Sequence, residues 1–157
     1  PMLAESLGDL PPIFCQVGEL ERLRDEGILL SYKAAYLHEY QLPSYATKNF
    51  ENSPFKNPTK VILEVYDDMP HCWQAFFSSK PSQIAIERCG EFIDRVTSIE
   101  DNNTSIVDLL KEDVSPSISI SPSLIAMRVS TNGEIRELNK TDRDCLKWDK
   151  IGIVPKF

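Results

Sequence analysis

The chain has 157 residues, 41% hydrophobic and 26% charged, the make-up of one globular unit with a sizeable core. Its formal net charge of −7 is the wrong sign for a nucleic-acid or anionic-membrane surface, which needs clustered lysine and arginine. No apolar run reaches the roughly 18–20 residues of a spanning helix, and no basic-then-apolar leader opens the sequence.

The first segment, PMLAESLGDLPP, has loop composition. PIFCQVG (12–18) is a nearly continuous apolar run ended by glycine, which predicts a strand buried on both faces. Residues 19–40 switch to helical spacing, with Gly27, Leu30, Ala34 and Leu37 on one stripe and Asp25 and Glu26 near the positive end of the helix dipole. Residues 41–59 contain three prolines and no periodicity, so they read as a long loop pinned by Tyr45, Phe50 and Phe55. KVILEVYD (60–67) is a second dense strand. A helix follows over 81–96, with Pro81 in its first turn and Ala85, Cys89, Phe92 and Val96 on one face.

Strand, helix, strand, helix with apolar strands predicts an α/β fold built on a βαβ unit with two parallel strands and a right-handed crossover. Residues 98–123, rich in Ser, Asp and Asn, read as a flexible linker. Beyond it, alternating apolar residues around Asn132-Gly133 predict a β-hairpin tail. The expected organisation is therefore a βαβα unit over 1–97, a linker over 98–123 and a tail over 124–157. Cys15, Cys72, Cys89 and Cys145 form no CxxC pair and read as isolated thiols packed in a core. Sequons at Asn102, Asn103 and Asn139 leave a lumenal location open.

In a parallel sheet, functional groups gather past the carboxyl ends of the strands. His71 stands there after the 60–67 strand, in LEVYDDMPHCWQAFF, while Glu19, Glu21 and Asp25 follow the 12–18 strand. If the two strands are neighbours, a carboxylate from the first loop reaches the imidazole of the second. That is the orienting half of a Ser-His-acid triad, in which the acid takes the Nδ1 proton and leaves Nε2 to act as base. The order acid then histidine is the order used by α/β-hydrolases.

With these residues lined up, the chain resembles the C-terminal part of the hormone-sensitive-lipase-like α/β-hydrolases, the esterase family that includes arylacetamide deacetylases and fungal sterol-acetate deacetylases. LPPIFCQVGELERLRDEG resembles the family's acid-bearing strand and loop, LEVYDDMPHCWQAFF its histidine loop, and AIERCGEFI its final helix. The resemblance covers about residues 1–96 and places three separated blocks in the family's order. It implies that His71 is the general base and Glu21 the triad acid, with Asp25 on the later acidic position as the alternative. Glu21-Arg22-Leu23 stands where the family more often has Asp-Pro-Leu, which is why both acids stay open. It also implies acyl transfer to a serine and hydrolysis by water activated through His71, with a small apolar ester as substrate and no cofactor or metal. The compartment stays open between cytoplasm and endoplasmic reticulum, and so does the oligomeric state.

The family's nucleophile elbow, G-x-S-x-G, occurs nowhere in these residues, and neither does its His-Gly-Gly oxyanion stretch. The expectation is therefore a fragment of a serine carboxylic-ester hydrolase, inactive alone. Its rival is a non-catalytic interaction protein derived from a hydrolase. Met69, Trp73 and Phe76, with Phe77, are expected either to wall a substrate pocket or to pack the last helix on the sheet. His38 is expected on a helix surface, and no His/Cys spacing suits a metal. Cys72 adjoins His71 in sequence, so their side chains diverge and do not make a Cys-His dyad.

Overall fold

A computed structural model of the protein describes residues 4–36, 52–98 and 123–139. In chain order these form β1 (Ile13–Gly18), α1 (Arg24–Tyr36), β2 (Val61–Tyr66), a 3-10 turn (Trp73–Ala75), α2 (Lys80–Thr97), β3 (Leu124–Val129) and β4 (Ile135–Glu137). All four strands join one sheet in the order β1-β2-β3-β4. β1 and β3 flank β2 in parallel, with Ile13 opposite Val61 and Val61 opposite Leu124. β4 returns antiparallel to β3, placing Arg136 opposite Arg128. The architecture is α/β with a mixed sheet.

The period-2 alternation of the strands decides which helix covers which face. Val17, Val61, Leu63, Val65, Leu124 and Ala126 pack against Ile28, Tyr32 and Ala35 of α1. The alternate residues Phe14, Ile62, Ile125 and Met127 meet Phe92 and Val96 of α2, with the Phe14 and Phe92 rings stacked at 5.3 Å. β2 is buried at every position, as the central strand of a sheet covered on both faces must be. Fully burying each Ile or Leu contributes about 1.5–3 kcal/mol relative to exposure.

One charge lies inside this core. Glu64 of β2 is fully buried on the α2 face and is ion-paired with Arg88 Nε. Its other oxygen accepts from the Tyr66 hydroxyl at 2.8 Å and from Gln16 Nε2 at 3.2 Å. Gln16 also donates to the Ala85 carbonyl at 3.0 Å, tying β1 to α2. Burial, with the Glu64 charge beside it, pushes the Tyr66 phenol well above its usual value.

The structure differs from the sequence expectation in several places. α1 starts at Arg24 and not at residue 19, because Glu19–Leu23 form a turn whose backbone bonds to other loops. The helix is buried at Ile28, Leu29 and Ser31–Ala35, more than one stripe. Part of the reason is the N-terminal segment, where Leu7 enters the core and Ala4 accepts from the buried Lys33 ammonium at 2.5 Å. The 124–139 stretch is not an appendage. β3 pairs with β2 along its whole length, so the sheet has three parallel strands where two were expected.

The hairpin does turn at Asn132-Gly133, with Gly133 at φ 92° and bonded to the Ser130 carbonyl at 2.9 Å, a three-residue loop. α2 starts one residue early behind Ser79, whose hydroxyl caps Ser82 N, and Pro81 stands in its first turn.

Phe55 is exposed and belongs to none of the described core clusters; Asp9 holds that loop, accepting from Lys56 N, Asn57 N and Asn57 Nδ2 at 2.7–3.2 Å. Cys15 is half-buried, but Cys72 and Cys89 are exposed free thiols, against the expectation of packed ones. Tyr45, Phe50, His38, Leu37, Cys145, the sequons at Asn102 and Asn103 and nearly all of the 98–123 linker lie outside the described residues. Among the described residues no helix is long and apolar enough to cross a membrane.

Candidate functional site

The carboxyl ends of β1 and β2 release two loops that are stitched together before either reaches its helix. Glu19 N continues the ladder to the Tyr66 carbonyl at 2.8 Å, and Leu20 N donates to the Met69 carbonyl at 3.0 Å. Gly18 permits this approach, since a Cβ there would stand 2.3 Å from the Met69 oxygen. The chain then tightens into a turn, with Glu21 N bonded to the Gly18 carbonyl at 3.3 Å, and aims the Glu21 side chain back across the strand end.

The second loop is fixed at both ends. Asp67 N bonds to the Val129 carbonyl at 2.9 Å, and Trp73 is buried against Tyr66 with ring centroids 4.9 Å apart. The Ser82 hydroxyl, in the first turn of α2, donates to the Trp73 carbonyl at 2.5 Å. Asp68 and Cys72, at φ 60° and 57°, bracket Met69-Pro70-His71 with left-handed residues. Non-glycine residues in that region cost about 1–2 kcal/mol and recur at functional sites.

Between these loops His71 Nδ1 lies 2.6 Å from Glu21 Oε2. Glu21 Oε1 accepts from Gly18 N at 3.0 Å, so both carboxylate oxygens are engaged. The Glu21 side chain is 6% exposed and that of His71 is 64% exposed. A carboxylate only accepts, so Nδ1 donates, and in the neutral imidazole this leaves the lone pair on Nε2. Among the described residues nothing hydrogen-bonds to Nε2. The arrangement is an oriented base: a sequestered acid behind the ring and an open nitrogen in front.

Asp25 is not part of it. Its carboxylate takes Arg24 Nε at 2.8 Å, in the first turn of α1.

Beside the pair opens a cavity of about 430 Å³, walled by Val17, Leu23, Leu30, Trp73, Glu21 and His71, with Gln16, Glu26 and Gln74 as further polar edges. Of the expected pocket residues only Trp73 lines it. Met69 packs with Tyr66, Trp73 and Val129, and Phe76 and Phe77 point to solvent at 60% and 73% exposure. Trp73 lines the cavity and also packs against Ala85 of α2, although its Nε1 finds no hydrogen-bond partner among the described residues. Also among the described residues, no three His, Cys, Asp or Glu side chains cluster as a metal site would need.

Sequence reasoning placed Glu19 near the site without a task for it and passed over Asp67 and Arg128. The Arg128 guanidinium binds Glu19 Oε1 at 2.5 Å through Nη2 and Asp67 Oδ1 at 2.6 Å through Nε. The signal for it was one arginine inside the buried run LIAMRV, where a charge needs a partner. Comparisons with protein-family models, with curated proteins and with solved structures found no match.

Proposed function

We propose that these residues supply the general base, His71, and the triad acid, Glu21, of a serine carboxylic-ester hydrolase of the hormone-sensitive-lipase-like α/β-hydrolase type. The observation that carries the reading is the 2.6 Å contact of a buried carboxylate with Nδ1 of an exposed imidazole whose Nε2 is open. In the reaction Nε2 takes the proton of a serine hydroxyl as the acyl group transfers, gives it to the leaving alcohol, and then activates water for deacylation. Glu21 stabilises the imidazolium formed at each step. The apolar walls at Val17, Leu23, Leu30 and Trp73 suit a small apolar ester.

This reading requires a nucleophile and oxyanion donors from residues other than these, since neither motif occurs here. The position of β1 at the edge of the described sheet supports the reading. Among the described residues it pairs only with β2, and the ladder bonds from Ile13 N and Glu19 N point that way. Phe14 and Gln16 therefore turn their backbone groups toward the opposite edge, where no described strand pairs with them. The cavity lies at that edge, lined by Gln16 and Val17.

The test is p-nitrophenyl acetate turnover and fluorophosphonate labelling, measured on the 157 residues alone and on the longest in-frame polypeptide that carries them. The expected result is no turnover by the 157 residues. In the longer polypeptide, turnover disappears in His71→Ala without a change in thermal midpoint. Phosphonate attached to a serine within these residues, or full activity in His71→Ala, would overturn the reading.

A further inference from the structure

Arg128, the penultimate residue of β3, lies directly opposite Val65, with its side chain 11% exposed. Its Nη2 reaches Glu19, two residues before Glu21, and Nε and Nη2 reach Asp67, four residues before His71. The second oxygen of Glu19 accepts from Asp68 N at 3.1 Å, so the acid loop is tied to the histidine loop as well as to β3. The hydrogen bond from Arg128 holds the Glu19 carboxyl below its ordinary range. Burial acts to lower the Arg128 value, but the two carboxylates outweigh it and raise it. A guanidinium spans two carboxylates because its donors lie in a rigid planar fork, whereas an ammonium is a single point on a flexible stem.

We propose that Arg128 is a positioning residue for the Glu21–His71 pair, its guanidinium holding the acid loop and the histidine loop at the separation that lets Nδ1 meet Oε2. The third strand is then part of the site's frame. The catalytic meaning of this rests on the hydrolase reading above; the positioning itself does not. The Leu20–Met69 backbone bond joins the loops near β1, and on the β3 side the bond from Asp67 N to the Val129 carbonyl holds the histidine loop without reaching the acid loop. Arg128 is the described side chain that reaches both loops from that side.

The experiment uses the 157-residue chain labelled with 15N-histidine and reads the His71 tautomer from its ring nitrogen shifts above pH 7. His71→Gln identifies its signals among the two histidines. A free imidazole favours the proton on Nε2, so a dominant Nδ1–H form reports the Glu21 contact. Wild type should show the Nδ1–H form, and Glu21→Gln should lose it. Arg128→Met should lose it too, with amide exchange at Leu20 and Asp68 faster by roughly tenfold to a hundredfold while Leu63 and Val65 keep their protection. Arg128→Lys should restore thermal stability without restoring the tautomer, which separates positioning from mere charge balance.

If Arg128→Met does not fold, Glu19→Gln and Asp67→Asn each remove one arm of the bridge, and each should shift the tautomer part of the way. The proposal is overturned if wild type lacks the Nδ1–H form or if Arg128→Met keeps it together with Leu20 and Asp68 protection. It is equally overturned if Arg128→Lys recovers the tautomer in full, or if neither single-arm variant moves it. Turnover is never read, so a positive result survives failure of the hydrolase reading and a negative one leaves that reading to its own test.

Discussion

The carbonyl oxygen of Met69 lies so close to the Cα of Gly18 that a methyl group on Gly18 would stand 2.3 Å from it. The obstacle is backbone on both sides, since the Pro70 oxygen would also be 2.9 Å away, so no side chain can swing clear. Gly18→Ala should cost about 2–4 kcal/mol of unfolding free energy in urea. Gly90→Ala is the control: nothing lies within 4 Å of its Cβ position on α2, and it should stabilise by about 0.5–1 kcal/mol. Equal effects from the two substitutions would remove the steric account of the loop junction.

The identity of the acid can be read from a pair of substitutions in a polypeptide that carries the nucleophile. Glu21→Gln keeps the shape beside His71 and loses the charge that orients the ring. By analogy with acid-to-amide changes in Ser-His-Asp triads, kcat should fall by about 10⁴-fold. Asp25→Asn loses only the Arg24 contact and the favourable end of the α1 dipole, costing about 0.3–1 kcal/mol with kcat kept. Measured kcat and urea midpoint together decide it. Loss of turnover in Asp25→Asn at an unchanged midpoint would move the acid to Asp25.

Arg88→Met should be among the most damaging substitutions in α2. It leaves the Glu64 carboxylate in the core with only Tyr66 and Gln16 as partners, and breaking such a pair costs about 3–5 kcal/mol. Adding Glu64→Gln removes the stranded charge while still accepting the two hydrogen bonds. The double variant should therefore be more stable than Arg88→Met alone in calorimetry. If the second substitution makes matters worse, the cost in Arg88→Met is lost packing and not an unpaired charge.

Stability should fall as the pH drops below about 4.5, the ordinary value of a Glu19 carboxyl. Its folded value is held lower by Arg128, so in this window the unfolded chain binds more protons and folding weakens as acid is added. Asp9 acts in the same direction through its hydrogen bonds from Asn57. Urea midpoints between pH 3 and 6 should show a shallower slope in Glu19→Gln than in wild type, with the Asp9 contribution left over. An unchanged slope would mean that the Arg128 bridge does not bias Glu19 ionisation.

Local patterning carried much of the fold. The dense apolar runs at 12–18 and 60–67 became β1 and β2 to within a residue at either end, because continuous Val, Ile and Leu suit a strand buried on both faces. The helix over 81–96 and the turn at Asn132-Gly133 were equally legible, through an i, i+4 stripe, a proline in the first turn and a glycine able to take positive φ. The acid and the histidine were placed near one another by a single topological argument, that parallel neighbours release their loops on the same edge. The aromatics after His71 were less legible. Hydrophobicity alone does not say that Trp73 turns inward while Phe76 and Phe77 face water.

What the sequence by itself determined was the kind of element at each place and the chemistry on offer: two strands, two helices, a hairpin, one histidine past a strand and three acids past its neighbour. Tertiary structure alone decided that β3 closes on β2, because strand pairing across some sixty residues depends on which free edge is available and leaves no local mark. It also decided that Glu21 and not Asp25 meets His71, since that turns on a tight turn at Gly18 that delays the helix to Arg24. The partners of Arg128 and Glu64 belong to the same class. A charge inside an apolar run announces that it must be paired, but the distance and direction of its partner exist only once the sheet has formed.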